Sequence, residues 1–334
     1  MQKWKGTGAG MFLVGLLLIT ASWGFLVHKT VHQLAVYELP EEMTPFFFSN
    51  MDYLVTNAPR PDIRRNQDST EATKHFIDLE MYGKDAANKM PADWNTAVKK
   101  FSKDTLLKYG YVPYHILYMK ERLTEAFRRK DKDSILFYAA DLGHYIADAN
   151  VPLHTTVNYD GQLTNQKGLH SLWESMIPEL EIGDYNLYTA HTAVYLKNPG
   201  QAIWQAVRRA AAQVPVMLEK EKQASSQFTE ETKFRTQIRR GRETKSYTTA
   251  FAKAYAAALK PSINEQLTRS ADLIADFWYT SWVDAGKPAL SGLTKDWNTE
   301  TEKRWKAEVE AFRNNKLLEN KWLLSKKAEP RDTE

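Results

Sequence analysis

The sequence predicts an all-α protein, and three observations predict it. Apolar residues recur at three- and four-residue steps along successive stretches, the spacing that lines one face of a helix. Almost nothing alternates with period two over six or more residues, so half-buried strands are not expected. Clusters of turn-forming and polar residues fall between the periodic stretches. Helices with such faces hold together by packing around a shared core, here in a single multi-helix domain.

In chain order the helical stretches are residues 25–39, 44–55, 112–127, 134–149, 168–176, 202–218, 251–259 and 262–282. Breaks fall at Pro59-Arg60-Pro61, at 84–91, at 158–167 and at Asn198-Pro199-Gly200. Pro152 lacks a donor and pushes Val151 out of helical geometry, so the 134–149 helix should stop near Asn150. Residues 219–245 are charged and rich in Gln and Ser, which predicts a solvated helix pair or an exposed excursion. From 290 to 334 the chain reads as a charged tail with Trp297, Trp305, Phe312 and Trp322 as anchors, docking as one amphipathic helix and frayed from 326 to 334. With 16 Tyr, 14 Phe and 10 Trp, the chain as a whole can bury a substantial core, and its domain is expected at residues 23–289.

Residues 1–22 read as a secretory signal peptide. Lys3 and Lys5 form a basic start, 11–19 an apolar run, and Thr20-Ala21-Ser22 a small-residue cleavage point that would leave Trp23 as the new amino terminus. The expected destination is the periplasm or the outside of the cell. The competing reading is an uncleaved anchor, since 10–27 is a run of 18 uncharged residues. The formal charge of +4 includes Lys3 and Lys5, so the chain has no global basic footprint, and any nucleic-acid contact must be local. With no Cys in the chain, disulfides, thiolate ligands and a lipidated cysteine are excluded.

The chemistry concentrates in two pairs. His144 and Asp148, and again His170 and Glu174, are four residues apart, which puts both members of each pair on one helix face. His154 follows the Pro152 break between them and is free to point elsewhere. Imidazole nitrogen and carboxylate oxygen are ligands that zinc accepts, and two such pairs with an intervening His favour a metal over chance polar contacts. His75 stands in Lys74-His75-Phe76-Ile77-Asp78, thirteen residues after Asp62, and His28 lies five residues after Trp23. A freed Trp23 amine and the Trp23 carbonyl could close a five-membered chelate beside His28.

Taken together, an amino-terminal Trp followed by His, an Asp, a His in an HFID context, HxxxD-x5-H and HxxxE resemble the zinc-dependent phospholipase C and S1/P1 nuclease superfamily. By motif the resemblance covers residues 23–174, and more weakly the later helices. It implies three zinc ions in a cleft between helices: one held by Asp62, His75, His144 and Asp148, a second by His154, His170 and Glu174, and a third by Trp23, His28 and Asp148. Asp148 would bridge two metals. Zinc lowers the pKa of bound water from about 15.7 toward about 7, so a hydroxide bridging two zincs could attack phosphorus in line. Asp62, Asp148 and Asp78 would be the catalytic carboxylates, with Asp78 orienting a ligand or the attacking water; an ordinary surface Asp is the alternative for Asp78.

The resemblance implies a phosphoester substrate, either a phospholipid headgroup or single-stranded nucleic acid and nucleotides. Phe76 matches the position where the nuclease branch stacks a base, although it reads equally as core. The 158–167 loop lacks the Gly-Gly-Asn element of nucleases, and Glu174, the missing Cys and the compact interval from His154 to His170 look more like phospholipase C. A phospholipase needs exposed apolar surface and transient membrane contact, for which Phe46–Phe48 and Tyr159 are candidates, although three Phe in a helix are more often core. The expected function is thus a secreted zinc-dependent phosphoesterase. The alternatives are an exported zinc-stabilised binding protein without catalysis and a membrane-anchored helical interaction protein.

Overall fold

Seven helices of eleven residues or more carry the described part of the fold: Phe25–Tyr37, Val112–Arg129, Lys132–Ala149, Pro199–Ser225, Thr249–Leu259, Ser262–Asp284 and Thr299–Arg313. The computed structural model describes residues 24–239, 242–259, 261–294 and 296–326. The expected leader, Trp23 and residues 327–334 of the frayed end lie outside the described residues. None of the described helices is long and apolar enough to cross a membrane.

Lys132–Ala149 is the central helix. From Ala139 to Ala149 every side chain is buried, the mark of a helix packed on all sides. Asp131 starts it by accepting the amide of Ser134 at 3.2 Å, and it stops at Asn150, two residues short of Pro152, as the sequence predicts. Val112–Arg129 packs antiparallel against it through a tight turn at Lys130, whose φ of 53° reverses the chain. Ser262–Asp284 lies along it too: Trp278 Nε1 donates to the Ala139 carbonyl at 3.0 Å, and Gln266 Nε2 to that of Asn150 at 2.5 Å. The opening helix Phe25–Tyr37 fits closely, because Gly143 leaves room for His32; a Cβ there would sit 2.4 Å from His32 Nε2. His32 faces the His28 carbonyl with Nδ1 and the Ala140 carbonyl with Nε2, a structural position.

Two regions differ from the sequence expectation, and the choice left open at Phe46–Phe48 falls to core. Residues 219–245 hold the end of the long helix, one turn at Glu230–Lys233, and an antiparallel pair of strands, Phe234–Arg239 and Arg242–Tyr247, with Phe234 opposite Tyr247. Thr236, Ile238 and Thr244 suit an extended backbone, yet the strands are too polar to show a half-buried alternation. The 168–176 stretch is one α-turn, Leu169–Ser171, followed by a π-turn over Leu172–Met176. Phe46, Phe47 and Phe48 are at most 1% exposed, and Phe47 stacks on Trp278 at 5.1 Å, so they are core and not a lipid surface. The tail folds back on the opening helix, where Gln33 donates to the Trp322 carbonyl at 2.7 Å and accepts from the Leu324 amide at 2.8 Å.

Candidate metal centre

His144 and Asp148 project from one face of the central helix, as a four-residue spacing requires. His144 donates Nδ1–H to the Ala58 carbonyl at 2.9 Å, which fixes its tautomer and turns Nε2 toward Asp148 Oδ2 at 3.3 Å and Asp62 Oδ1 at 3.8 Å. Asp62 comes from the short helix Arg60–Arg64. His75 follows the single turn Ala72–Lys74 and brings Nδ1 to 2.8 Å from Asp148 Oδ2, 3.1 Å from His144 Nε2 and 3.6 Å from Asp62 Oδ1. The opening helix contributes His28, stacked on the His144 ring at 3.9 Å with Nε2 3.5 Å from Asp148 Oδ1.

A second group adjoins the first. The turn after Pro152 presents His154, whose Nδ1–H is donated to the His75 carbonyl at 2.8 Å and whose Nε2 lies 3.2 Å from Glu174 Oε1. His170 donates Nδ1–H to the Tyr159 carbonyl at 3.0 Å and turns Nε2 to 2.9 Å from Glu174 Oε2. The π-turn carries Glu174, and π-turns inside helices often mark functional sites. His154 Nδ1 is 3.7 Å from Asp148 Oδ1, so Asp148 stands between the groups. The start of the described chain is tied here as well, since the Gly24 amide donates to the Glu174 carbonyl at 3.1 Å.

These residues fit a metal. Three groups, His28–His144–Asp148, Asp62–His75–His144 and His154–His170–Glu174, each hold their ligand atoms within 4.8 Å of one another. Both carboxylate oxygens of Asp62 and both of Glu174 are buried; Asp62 has Arg65 Nη1 at 3.5 Å and Glu174 has the His154 and His170 imidazoles, and a metal cation among them would compensate the buried charge further. Nitrogen and oxygen donors without thiolate suit zinc.

The charges agree. Burial pushes the Asp148 carboxyl up, but His144 and His154 hold it well below the usual carboxylate range. Glu174 resists burial likewise and is drawn down to about 2 by His170 and His154. His154, lowered by burial, is carried up to about 9 by Glu174 and Asp148.

Phe76 and Asp78 lie outside these groups. Their segment is extended, with Ile77 donating its amide to the His154 carbonyl at 2.9 Å and Asp78 donating to that of Tyr109 at 2.8 Å. Ile77 is fully buried, while its two neighbours are half-buried. Gly110, at φ 84°, lets this segment pack: a Cβ there would sit 2.3 Å from the Phe76 carbonyl oxygen. Burial and the nearby Glu80 push Asp78 up to about 6. Beyond it a groove of about 510 Å³ runs between Leu79–Ala87 and the Thr155-Thr156 pair that follows His154, with Pro215 on its far wall.

Sequence reasoning missed the buried network behind His75. Glu71 Oε1 faces His75 Nε2 at 3.6 Å, and Glu71 is itself held by Arg64 at 3.0 and 3.1 Å, by Lys74 at 2.7 Å and by the Tyr145 hydroxyl. Arg64 and Arg60 also bind Asp141. The signal was present: Glu71 and His75 repeat the four-residue spacing of the other pairs, with the acid first. His115 packs edge-on against Tyr145 at 4.5 Å, and His191 meets Asp276 at 2.9 Å, away from the centre.

A comparison with curated proteins returned no match. The S1/P1 Nuclease family model matches residues 23–277, a span that contains all three ligand groups, and the chain belongs to this zinc-dependent family of phosphoester hydrolases.

Proposed function

We propose that the protein is an exported phosphodiesterase that cleaves single-stranded nucleic acid and nucleotide esters with three zinc ions. The observation that carries this reading is the convergence of the ligand groups on Asp148, with the carboxylates of Asp62 and Glu174 buried beside imidazole nitrogens. Asp62, His75, His144 and Asp148 would hold one ion, His154, His170 and Glu174 another, and Trp23, His28 and Asp148 the third. Bound zinc supplies Lewis acidity toward the phosphoryl oxygens and makes water nucleophilic near neutral pH.

The protein's own contribution is positioning. Main-chain carbonyls set His144, His154 and His170 as Nδ1–H tautomers, which leaves each Nε2 lone pair directed inward. Asp148 holds the groups at a fixed separation and, being fully buried, does so away from competing water. Asp78, ionised above about pH 6, orients water or accepts its proton. Phe76 offers a ring to a base, and the adjoining groove takes the flanking strand. Export is supported by the signal-like start and by a family match that begins at residue 23.

The test is hydrolysis by the chain beginning at Trp23, purified with zinc, on single-stranded DNA and RNA, a 3′-nucleotide and phosphatidylcholine. Cleavage of the nucleic acids and the nucleotide, lost on chelation and restored by zinc, is the expected outcome. A zinc-replete chain that leaves them intact overturns the reading, and cleavage confined to phosphatidylcholine replaces it with phospholipase C activity.

A further inference from the structure

We propose that Glu71 is a positioning residue for the metal centre, acting through His75. Three histidines of the centre present Nε2 inward and rest their outer nitrogen on an uncharged main-chain carbonyl. His75 is reversed. It presents Nδ1 toward Asp62, Asp148 and His144, and its outer Nε2, buried and without a hydrogen bond, faces the Glu71 carboxylate at 3.6 Å. A carboxylate behind an imidazole fixes the ring and raises its basicity as a ligand more than a carbonyl does.

Glu71 is built for that task. It is fully buried, which would be costly for a lone charge. Arg64 grips both of its oxygens, Lys74 holds Oε2, and the Tyr145 hydroxyl binds Oε1, the oxygen that faces His75. The Arg64 guanidinium is fixed in turn by Asp141, a residue of the same helix as His144. The orientation of His75 is thereby locked to the helix that carries two other ligands.

This inference rests on the zinc reading above, and the test separates the two. Zinc affinity of the processed chain is measured by competition with a chromogenic chelator, with folding followed by far-UV circular dichroism. Glu71→Gln should weaken one zinc per chain by about 10–100-fold and leave the others unchanged. Arg60→Met loosens the same network at its outer end, where Arg60 binds Asp141, and should lower the thermal midpoint without moving zinc affinity.

If Gln at 71 unfolds the chain, Glu71→Asp keeps the charge that Arg64 and Lys74 need and withdraws it from His75, so a several-fold loss is expected. Wild-type zinc binding with a folded Glu71 variant of unchanged affinity overturns this proposal alone. An Arg60→Met loss as large as that of Glu71→Gln overturns it too, because network stability then explains both. A wild-type chain that takes up no zinc overturns this proposal together with the reading beneath it.

Discussion

The two ligand groups that meet at Asp148 are built in opposite ways. The group of Asp62, His75 and His144 is braced by the central helix, and behind it stands the charged network of Arg64, Glu71, Asp141 and Tyr145. The group of His154, His170 and Glu174 stands on short turns, with main-chain carbonyls behind its imidazoles and the beginning of the described chain beside it. The first is held by a network of charged side chains anchored on the central helix, and the second chiefly by main-chain groups of short turns. Local perturbation should therefore disturb the second group more readily, while its reach into the first must pass through Asp148.

The largest expected effect is on that link. Asp148→Asn leaves His144 and His154 facing a neutral amide in a fully buried site. Breaking a buried pair by removing one partner costs about 3–5 kcal/mol, so the metal-free chain should lose that much in urea denaturation. Both groups should lose zinc in the same variant. Near-wild-type zinc in either one would show that the groups are independent.

Proton competition tests the groups more gently. His154 is raised to about 9 in the folded chain, so its stabilising charge is fully present below the unfolded value of 6.5 and fades as pH rises through 9. Glu174 is lowered to about 2, so its contribution is present above 4.5 and is lost as pH falls toward 2. The metal-free second group is thus most stable between those unfolded values. Zinc must displace the His154 proton, and its affinity there should climb with pH until about 9. His28 is lowered chiefly by burial and then by His144, whereas His144 of the first group, against its burial, is raised by Asp148 and Asp62, so zinc there competes with a proton as well. Chelator competition across that range should show zinc affinity rising with pH, including at the group of His154, and a flat response for all zincs would remove the proton competition.

How legible each part was in the sequence follows from the same contrast. Helical spacing disclosed His144 with Asp148, and the Pro152 break announced that His154 would leave the helix. The helices were legible because their periodicity is local. Glu71, Arg64 and Asp141 were not singled out, since buried charges look like surface charges until the fold packs them together. The π-turn at Glu174 was likewise invisible, because a four-residue pair reads the same in an α-helix. The strands at Phe234–Arg239 and Arg242–Tyr247 were missed because both are polar.

A matched pair of mild substitutions sharpens the comparison at its smallest scale. Gly168, at φ 97°, opens the turn two residues before His170, and a methyl group there meets the Tyr247 ring at 3.2 Å. Gly168→Ala should cost about 1–3 kcal/mol and also weaken zinc at the second group, because the strain is released by moving His170. Asp131→Ala removes the cap of the helix that carries His144 and Asp148, where Asp131 accepts from the amide and hydroxyl of Ser134. It should cost about 1 kcal/mol by thermal denaturation. Zinc should stay in place, since more than three helical turns separate that cap from His144, the last of them fully buried. If the two variants lose zinc alike, the second group is no more dependent on local backbone than the first, and both are held by the fold as a whole.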